Sequence, residues 1–183
     1  MNGKMLSFVV VLMFLTSCGH KKEASDSKYT SNETSYLDEK KAGNFMLDKS
    51  YSTQYYTIQY PSEWSVLEQI NEITDVYIGS EQYALGFTIV RFETDYSLSQ
   101  VNSEGNRNVR QSGIKVSDDK LITLDGVDCY RALHEISIGN QTLKQISYTF
   151  KKGYMLYNIK FGSVITKEQE ELVAAIINSF QFK

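Results

Sequence analysis

The sequence predicts an α+β domain over residues 45–183, in which a twisted antiparallel sheet is flanked by two main helices. Short runs of alternating apolar and polar residues recur along this stretch, as in half-buried strands. Turns that contain Gly or Asn join several of these runs, which favours antiparallel neighbours. Two other segments repeat apolar residues at helical spacing and begin at a Ser or Thr that can cap a helix.

The N-terminus has the pattern of an export leader. Lys4 precedes an apolar run over residues 5–15, which as a helix would span about 16 Å, too short for the ~30 Å hydrocarbon core of a membrane. The stretch Leu15-Thr16-Ser17-Cys18 follows at once. A bulky apolar residue, two small residues and a cysteine in this order resemble the lipobox of bacterial lipoproteins.

This resemblance implies that residues 1–17 are a signal peptide and that the mature chain begins at Cys18. The thiol would receive diacylglycerol, and the new amino group would receive a further acyl chain such as palmitate; two or more chains anchor a protein stably. An ordinary signal peptide with an incidental cysteine and an uncleaved anchor are the alternatives. The expected location is a bacterial membrane, inner or outer, with the domain outside the cytoplasm.

Residues 18–44 form the predicted lipidated tether. Positions 19–44 are polar and mixed in charge, without an apolar stripe, so they cannot bury enough surface to offset the entropy of ordering. As a coil they would reach about 30 Å. Six basic and six acidic residues between positions 19 and 50 favour a solvated linker over a segment that binds lipid headgroups.

Four strands are predicted before the first helix. The first, over residues 55–60, places Tyr56, Ile58 and Tyr60 on one face. The other three cover residues 64–70, 75–80 and 85–92. Four further strands, over residues 115–124, 129–138, 143–151 and 154–161, follow the first helix. Their short joints predict a meander.

Two capping boxes mark the predicted helices. Ser97 with Gln100 begins the first helix, and Gly113 is its predicted C-terminal cap. The apolar stripe of this helix is thin and consists of Leu98, Val101, Gly105 and Val109. Thr166 with Gln169 begins the second helix, whose stripe is continuous and is expected to pack on the sheet. This second stripe consists of Leu172, Val173, Ile176, Ile177 and Phe180.

Three local patterns resemble PsbP-like and DcrB-like domains. Residues 56–64 (YTIQYPSEW) match an opening of the form Y-x-I-x-Y-P-x-x-W, residues 124–131 (LDGVDCYR) match a hairpin, and residues 177–182 (INSFQF) match the closing segment. The resemblance covers residues 51–183 and implies the MOG/PsbP-like fold, whose members are mostly non-enzymatic. It also implies that Pro61 marks a turn and Trp64 a core anchor. No catalytic, cofactor-binding or partner-binding residue transfers from it.

Nucleophilic catalysis needs a nucleophile beside a base, and the domain's one cysteine and one histidine do not form such a pair. Cys129 and His134 lie five residues apart in one predicted strand, so they face opposite sides about 16 Å apart. Cys129 is interpreted as a buried hydrophobe rather than a reactive thiol. His134 is interpreted as a half-buried, hydrogen-bonded side chain rather than a ligand. A disulfide between Cys18 and Cys129 is not expected, because their sequence contexts differ.

Metal and cofactor sites have little support. Asp118, Asp119, Asp125 and Asp128 gather near one hairpin and could offer oxygens to Ca²⁺, but they lack the loop spacing of an EF-hand. Turn formation and solvation are the alternative explanation for Asp125 and Asp128. We therefore expect no metal and no cofactor.

Tyr51 and Tyr55 are the candidate partner-contact residues. Tyrosine gives contact area with a polar tip, and alternation leaves Tyr55 outward while Tyr56 and Tyr60 point inward. Ordinary packing on the sheet is the alternative. The net charge of −3 gives no reason to expect nucleic acid as a partner.

The functional hypothesis is a lipid-anchored, non-enzymatic module of the cell envelope that binds an unknown envelope protein. The sequence leaves two alternatives open. One is a small-ligand carrier with a pocket between sheet and helix. The other is a weak hydrolase that uses a pair of carboxylates at the rim of the sheet.

Overall fold

The computed structural model describes residues 46–68, 70–82, 84–162 and 166–183, apart from the side chains at positions 138 and 141. The predicted leader, Cys18 and the predicted tether lie outside the described residues. Among the helices that the structure describes, none combines the length and the apolar character that crossing a membrane requires.

Two helices and ten strands make up the described part of the chain. The helices are α1 (Leu98–Gln111) and α2 (Lys167–Asn178). The strands are β1 (Lys49–Ser52), β2 (Tyr56–Tyr60), β3 (Ser65–Glu68), β4 (Thr74–Ser80), β5 (Leu85–Glu93), β6 (Lys115–Leu124), β7 (Val127–Ile138), β8 (Gln141–Lys152), β9 (Met155–Gly162) and β10 (Gln181–Phe182).

A large antiparallel sheet contains seven of these strands, in the order β3-β4-β5-β9-β8-β7-β6. Strands β6 to β9 form the predicted meander, and the turns between them hold Gly126, Gly139 and Gly153 at positive φ, where glycine has no Cβ to clash. Strand β5 pairs directly with β9, although α1 and strands β6 to β8 separate the two strands in sequence. The predicted α+β class, an antiparallel sheet with two helices, is confirmed.

A second sheet of three strands, in the order β1-β2-β10, was not predicted from the sequence. Strand β1 is mostly exposed and shows no apolar alternation, and β10 has two residues. Each strand exists because it pairs with β2: Lys49 lies opposite Tyr60, and Gln181 lies opposite Thr57. Strand β10 is distant from β2 in sequence, and β1, joined to β2 by residues 53–55, lacks apolar alternation, so neither strand leaves a local pattern to detect.

The hydrophobic core lies between one face of the large sheet and the layer formed by α2 and the small sheet. Aromatic rings dominate it. The ring of Phe180 lies 5.3 Å from that of Tyr56 and 4.9 Å from that of Phe150, measured between centroids. Trp64 is buried in the same core, and its backbone N–H donates to the carbonyl of Pro61 at 3.1 Å. The expected turn and core anchor are therefore present.

Both predicted capping boxes are also confirmed. The hydroxyl of Ser97 accepts from the backbone N–H of Gln100 at 3.3 Å, and the Gln100 side-chain oxygen accepts from the Ser97 backbone N–H at 2.9 Å. Thr166 and Gln169 make the same pair of bonds at the start of α2. All five residues of the predicted stripe from Leu172 to Phe180 are buried, so α2 packs on the sheet as expected.

Candidate functional site

The face of the large sheet opposite the core carries α1, and we call it the helix-side face. Strand register places Ala132, Ser147, Lys160 and Thr88 in one row across its centre. Polar residues are buried here rather than solvated. The buried polar residues of the described part are Thr74, Asn106, His134, Ser147 and Thr149, and the last four belong to this face or to α1.

His134 is the most unusual of these residues. The sequence interpretation of a half-buried histidine is wrong, because the residue is only 4% exposed. Its Nε2 atom has no hydrogen-bond partner in the described part. Burial lowers its pKa to about 4, and the charges of Lys160 and Arg110 act in the same direction against the opposing effect of Asp119. The histidine is therefore neutral at physiological pH.

Gln145 lies directly opposite His134 in the register of β7 and β8, and its Oε1 atom is likewise buried without a partner. Two neighbouring side chains thus present a donor-or-acceptor nitrogen and an acceptor oxygen that the described chain does not satisfy. An unsatisfied buried polar atom costs about 1–3 kcal/mol, so such a pair invites water or a polar ligand. Nearby Lys160 has its pKa lowered by burial.

The other polar groups of the helix-side face bond to one another. The Asn106 side-chain amide of α1 donates to the Asp119 carboxylate at 2.8 Å, and Asn102 donates to the same carboxylate at 3.0 Å. In the sheet, the Asn158 amide donates to the hydroxyl of Thr149 at 2.8 Å. The two bonds from Asn102 and Asn106 to Asp119 attach α1 to strand β6. The stripe predicted from the sequence did not include Asn106. The spacing of Asn102 and Asn106, four residues apart, indicated that both lie on one face of the helix.

Towards β3, the helix-side face ends in an open apolar surface. Tyr77 lies over two glycines, because a Cβ at Gly79 or Gly86 would come within 2.5 or 2.6 Å of its hydroxyl oxygen. Its side chain remains 38% exposed, and its register partner Leu67 on β3 is 59% exposed. The two glycines therefore give a large aromatic ring a place on the sheet without covering it.

Cys129 lies on the opposite face, within the core, where it is fully buried. Burial raises the pKa of its thiol to about 12, so the thiolate that a nucleophile needs is not populated at neutral pH. The prediction that Cys129 and His134 face opposite sides of one strand is confirmed. Neither side chain can activate the other.

The candidate contact residues Tyr51 and Tyr55 lie beside a half-buried ion pair. Arg91 donates to both carboxylate oxygens of Asp75, at 2.9 and 3.2 Å, and stacks 4.0 Å above the centre of the Tyr55 ring. The Tyr56 hydroxyl donates to the same carboxylate at 3.3 Å. This bonding raises the pKa of Arg91. Because Tyr51 and Tyr55 are partly buried and pack against the core, their contact with a partner stays a prediction.

The four aspartates near the β6–β7 hairpin are not gathered into one site. Asp118 pairs with Lys120 and Arg131, whereas Asp119 accepts from the two asparagines of α1. Asp125 occupies the turn at φ +48°, and its carboxylate accepts from the backbone N–H of Phe182 at 3.3 Å. Within the described ranges, no three His, Cys, Asp or Glu residues are placed to hold a metal ion. The structure thus gives these aspartates separate roles.

Comparison with known proteins identifies the fold. No family model matches the chain, and no curated protein matches it. The solution structure of cyanobacterial PsbP (CyanoP) from Synechocystis sp. PCC 6803 is similar, with a TM-score of 0.59 and 12% sequence identity, over 74% of this chain and 92% of that one. The class that the fold defines is therefore an α+β domain of PsbP-like fold.

Two further solved structures are similar. One is a Bacteroides thetaiotaomicron VPI-5482 protein, with a TM-score of 0.55 and 14% identity, over 75% of this chain and 49% of that one. The other is LpqN of Mycobacterium tuberculosis, involved in cell envelope biogenesis, with a TM-score of 0.48 and 15% identity, over 70% of this chain and 83% of that one. The fold assignment rests on CyanoP and the Bacteroides protein. At these identities the likeness concerns the fold alone.

Proposed function

We propose that this chain is a lipid-anchored, non-enzymatic interaction module of the bacterial cell envelope. The observation that carries the proposal is the leader, in which a basic residue, a short apolar run and the sequence Leu15-Thr16-Ser17-Cys18 follow one another. Acylation at Cys18 would hold the PsbP-like domain near a membrane surface, outside the cytoplasm, at the end of a polar tether. The partner is an envelope protein.

The states of the reactive groups support a role in binding rather than catalysis. The Cys129 thiol is buried with a raised pKa, and the buried His134 is neutral and far from it. Several carboxylates of the domain are paired with cations: Asp75 with Arg91, Glu135 with Lys115, and Asp118 with Lys120. A general acid and base need two carboxyl groups in different protonation states, which such pairing opposes.

The experiment compares the wild-type chain with Cys18→Ser in the cells that produce it. The wild type should sediment with membranes and be released by detergent, whereas Cys18→Ser should not be acylated and should lose membrane attachment. In-cell crosslinking of a C-terminally tagged chain should give a discrete partner band for the wild type. Identical fractionation of both proteins, or no crosslinked species in repeated trials, contradicts the proposal.

A small-ligand carrier is a second candidate, favoured by the unsatisfied pair His134 and Gln145. Its ligand would be small and polar, offering both a donor and an acceptor to the helix-side face. Native mass spectrometry of the purified protein is the test. A retained small molecule, lost in His134→Leu, supports the carrier; an empty protein with unchanged stability in that variant means that ordered water fills the site.

A further inference from the structure

The two outer strands of the large sheet, β6 and β3, differ in whether their outer edge is protected from pairing with another strand. Strand β6 carries a bulge between Ser117 and Lys120, with Asp118 at φ +51°, and has charged side chains at positions 115 and 118–120. Bulges and edge charges prevent another strand from pairing there. Strand β3 pairs in regular register with β4 and has no bulge. In the part of the chain that the structure describes, no strand pairs with its outer side.

Strand β3 also exposes apolar side chains on both faces of the sheet. Leu67 shares the helix-side face with the half-exposed Tyr77, whereas Val66 shares the opposite face with Ile78. Ile70, just beyond the strand, is 44% exposed. An added strand would therefore find one exposed apolar neighbour on each face, Leu67 and Val66, in addition to free backbone donors and acceptors.

The chain segment that carries this edge has charges of one sign. Residues 61–90 contain five acidic residues and neither Lys nor Arg, although the whole chain has a net charge of only −3. Asp75 is neutralised by Arg91, but Glu63, Glu68, Glu72 and Glu81 are exposed. A segment that pairs with β3 must therefore meet several uncompensated carboxylates. Complementarity favours an occupant that carries Lys or Arg on either side of its apolar residues.

We propose that the outer edge of β3 docks an extended, basic segment of a partner protein, which adds an eighth strand to the large sheet. Successive side chains of the segment contact Leu67 on one face and Val66 on the other. Its flanking cations lie against Glu63, Glu68 and Glu72. A second copy of this chain fits poorly, because pairing β3 with β3 brings these carboxylates against their own counterparts. The inference rests on the proposed interaction role, but not on the lipid anchor.

The test measures the binding of labelled synthetic peptides to the full chain in detergent by fluorescence anisotropy. The peptide KTVTVTK supplies alternation and flanking cations, ETVTVTE reverses the charge, and KTVPVTK removes a backbone donor. We expect KTVTVTK to bind about tenfold more tightly than either control, which is the size of effect that a few charge contacts and ladder bonds give. Glu68→Lys should abolish the preference for the basic peptide.

Matched variants on the two edges locate the site. Leu67→Thr should weaken binding of KTVTVTK several-fold, whereas Leu121→Thr on β6, an equally exposed leucine, should leave it unchanged. Equal binding of all three peptides, no saturable binding, or loss only in Leu121→Thr overturns the proposal. A concentration-dependent dimer that Leu67→Thr disrupts overturns it in favour of self-pairing. Crosslinking in cells detects a partner bound through any surface. If peptide binding at β3 fails but a crosslinked partner is found, the docking proposal is wrong while the interaction role stands.

Discussion

The two faces of the large sheet bury their residues by different means. On the core face, aromatic and aliphatic side chains pack on α2 and the small sheet, with ring centroids of Phe150, Phe180 and Phe182 about 5 Å apart. On the helix-side face, buried polar groups such as Asn106 and Thr149 bond to neighbours, while His134 and Gln145 each keep an atom without a partner among the residues that the structure describes. Apolar packing is satisfied by any close neighbour, whereas each buried polar atom needs a specific one.

This difference separates stability from binding within one sheet. The core face is packed by apolar side chains of α2 and the small sheet, although Trp64 Nε1 there is buried without a hydrogen-bond partner among the described residues. Substitutions of its large side chains should therefore act on the free energy of unfolding. The helix-side face ends in exposed apolar side chains towards β3 and holds unsatisfied polar atoms towards β7. Substitutions there should act less on stability and more on pH dependence and on binding.

The largest effect is expected on the core face, from Phe150→Ala. Deleting a fully buried ring that contacts three other aromatic rings should cost about 3–5 kcal/mol in the free energy of unfolding, measured by denaturant titration. Thr149→Ala, the adjacent residue on the opposite face, is the matched control and should cost about 1 kcal/mol through its lost bond to Asn158. Equal losses from both would remove the distinction between the faces.

A pH-dependent effect is expected from His134→Gln. In the unfolded chain the histidine takes up a proton as the pH falls through 6.5, but in the folded chain its pKa is about 4. The folded state therefore loses stability as the pH falls from 6.5 to 4, by up to about 3 kcal/mol. The variant lacks this loss. The difference in the free energy of unfolding between the wild type and the variant should therefore change between pH 6.5 and pH 4. Curves that stay parallel from pH 7 to pH 4 contradict the burial of a neutral histidine.

A smaller loss is expected from Asn106→Ala, which removes the amide that ties α1 to the Asp119 carboxylate. The cost should be about 1–2 kcal/mol, because Asn102 still donates to that carboxylate. In the double variant with Asp119→Ala the second substitution should add little, since both act on one network. Additive losses, measured by the same denaturant titrations, would show that α1 is held by its thin apolar stripe instead.

The smallest effect is expected from Gly86→Ala, at about 1 kcal/mol. The added methyl group meets the hydroxyl end of the Tyr77 ring, which must swing away from the sheet. In a Tyr77→Ala background the same substitution should be neutral or slightly stabilising, because a glycine inside a strand is entropically unfavourable. If Gly86→Ala is equally destabilising in the Tyr77→Ala background, glycine is required there by the backbone and not by contact with the Tyr77 ring.

Local signals predicted most of the fold. The capping pairs Ser97–Gln100 and Thr166–Gln169 form the bonds that their spacing indicates, and period-two alternation located the meander strands. The small sheet was missed because β1 and β10 are defined only by pairing with β2. The predicted strand over residues 64–70 is shorter in the structure, as β3, since Trp64 turns into the core beside Pro61.

The candidate site was harder to predict. Local pattern placed His134 in a strand, but its lowered pKa depends on burial and on the charges of Lys160 and Arg110, which are distant in sequence. One signal in the sequence was Lys160, a cation that lies two residues after Asn158 in the otherwise apolar stretch 155–161. A polar face on a central strand indicates a buried polar surface, yet its hydrogen-bond partners come only from the three-dimensional register.

The lipid anchor is the claim that places both faces outside the cytoplasm, and intact-mass measurement of the protein extracted from membranes tests it most directly. We predict a chain that begins at Cys18 and is heavier than that polypeptide by a diacylglyceryl group and a further acyl chain. A chain with an unmodified Cys18, or a mature N-terminus at another residue, contradicts it.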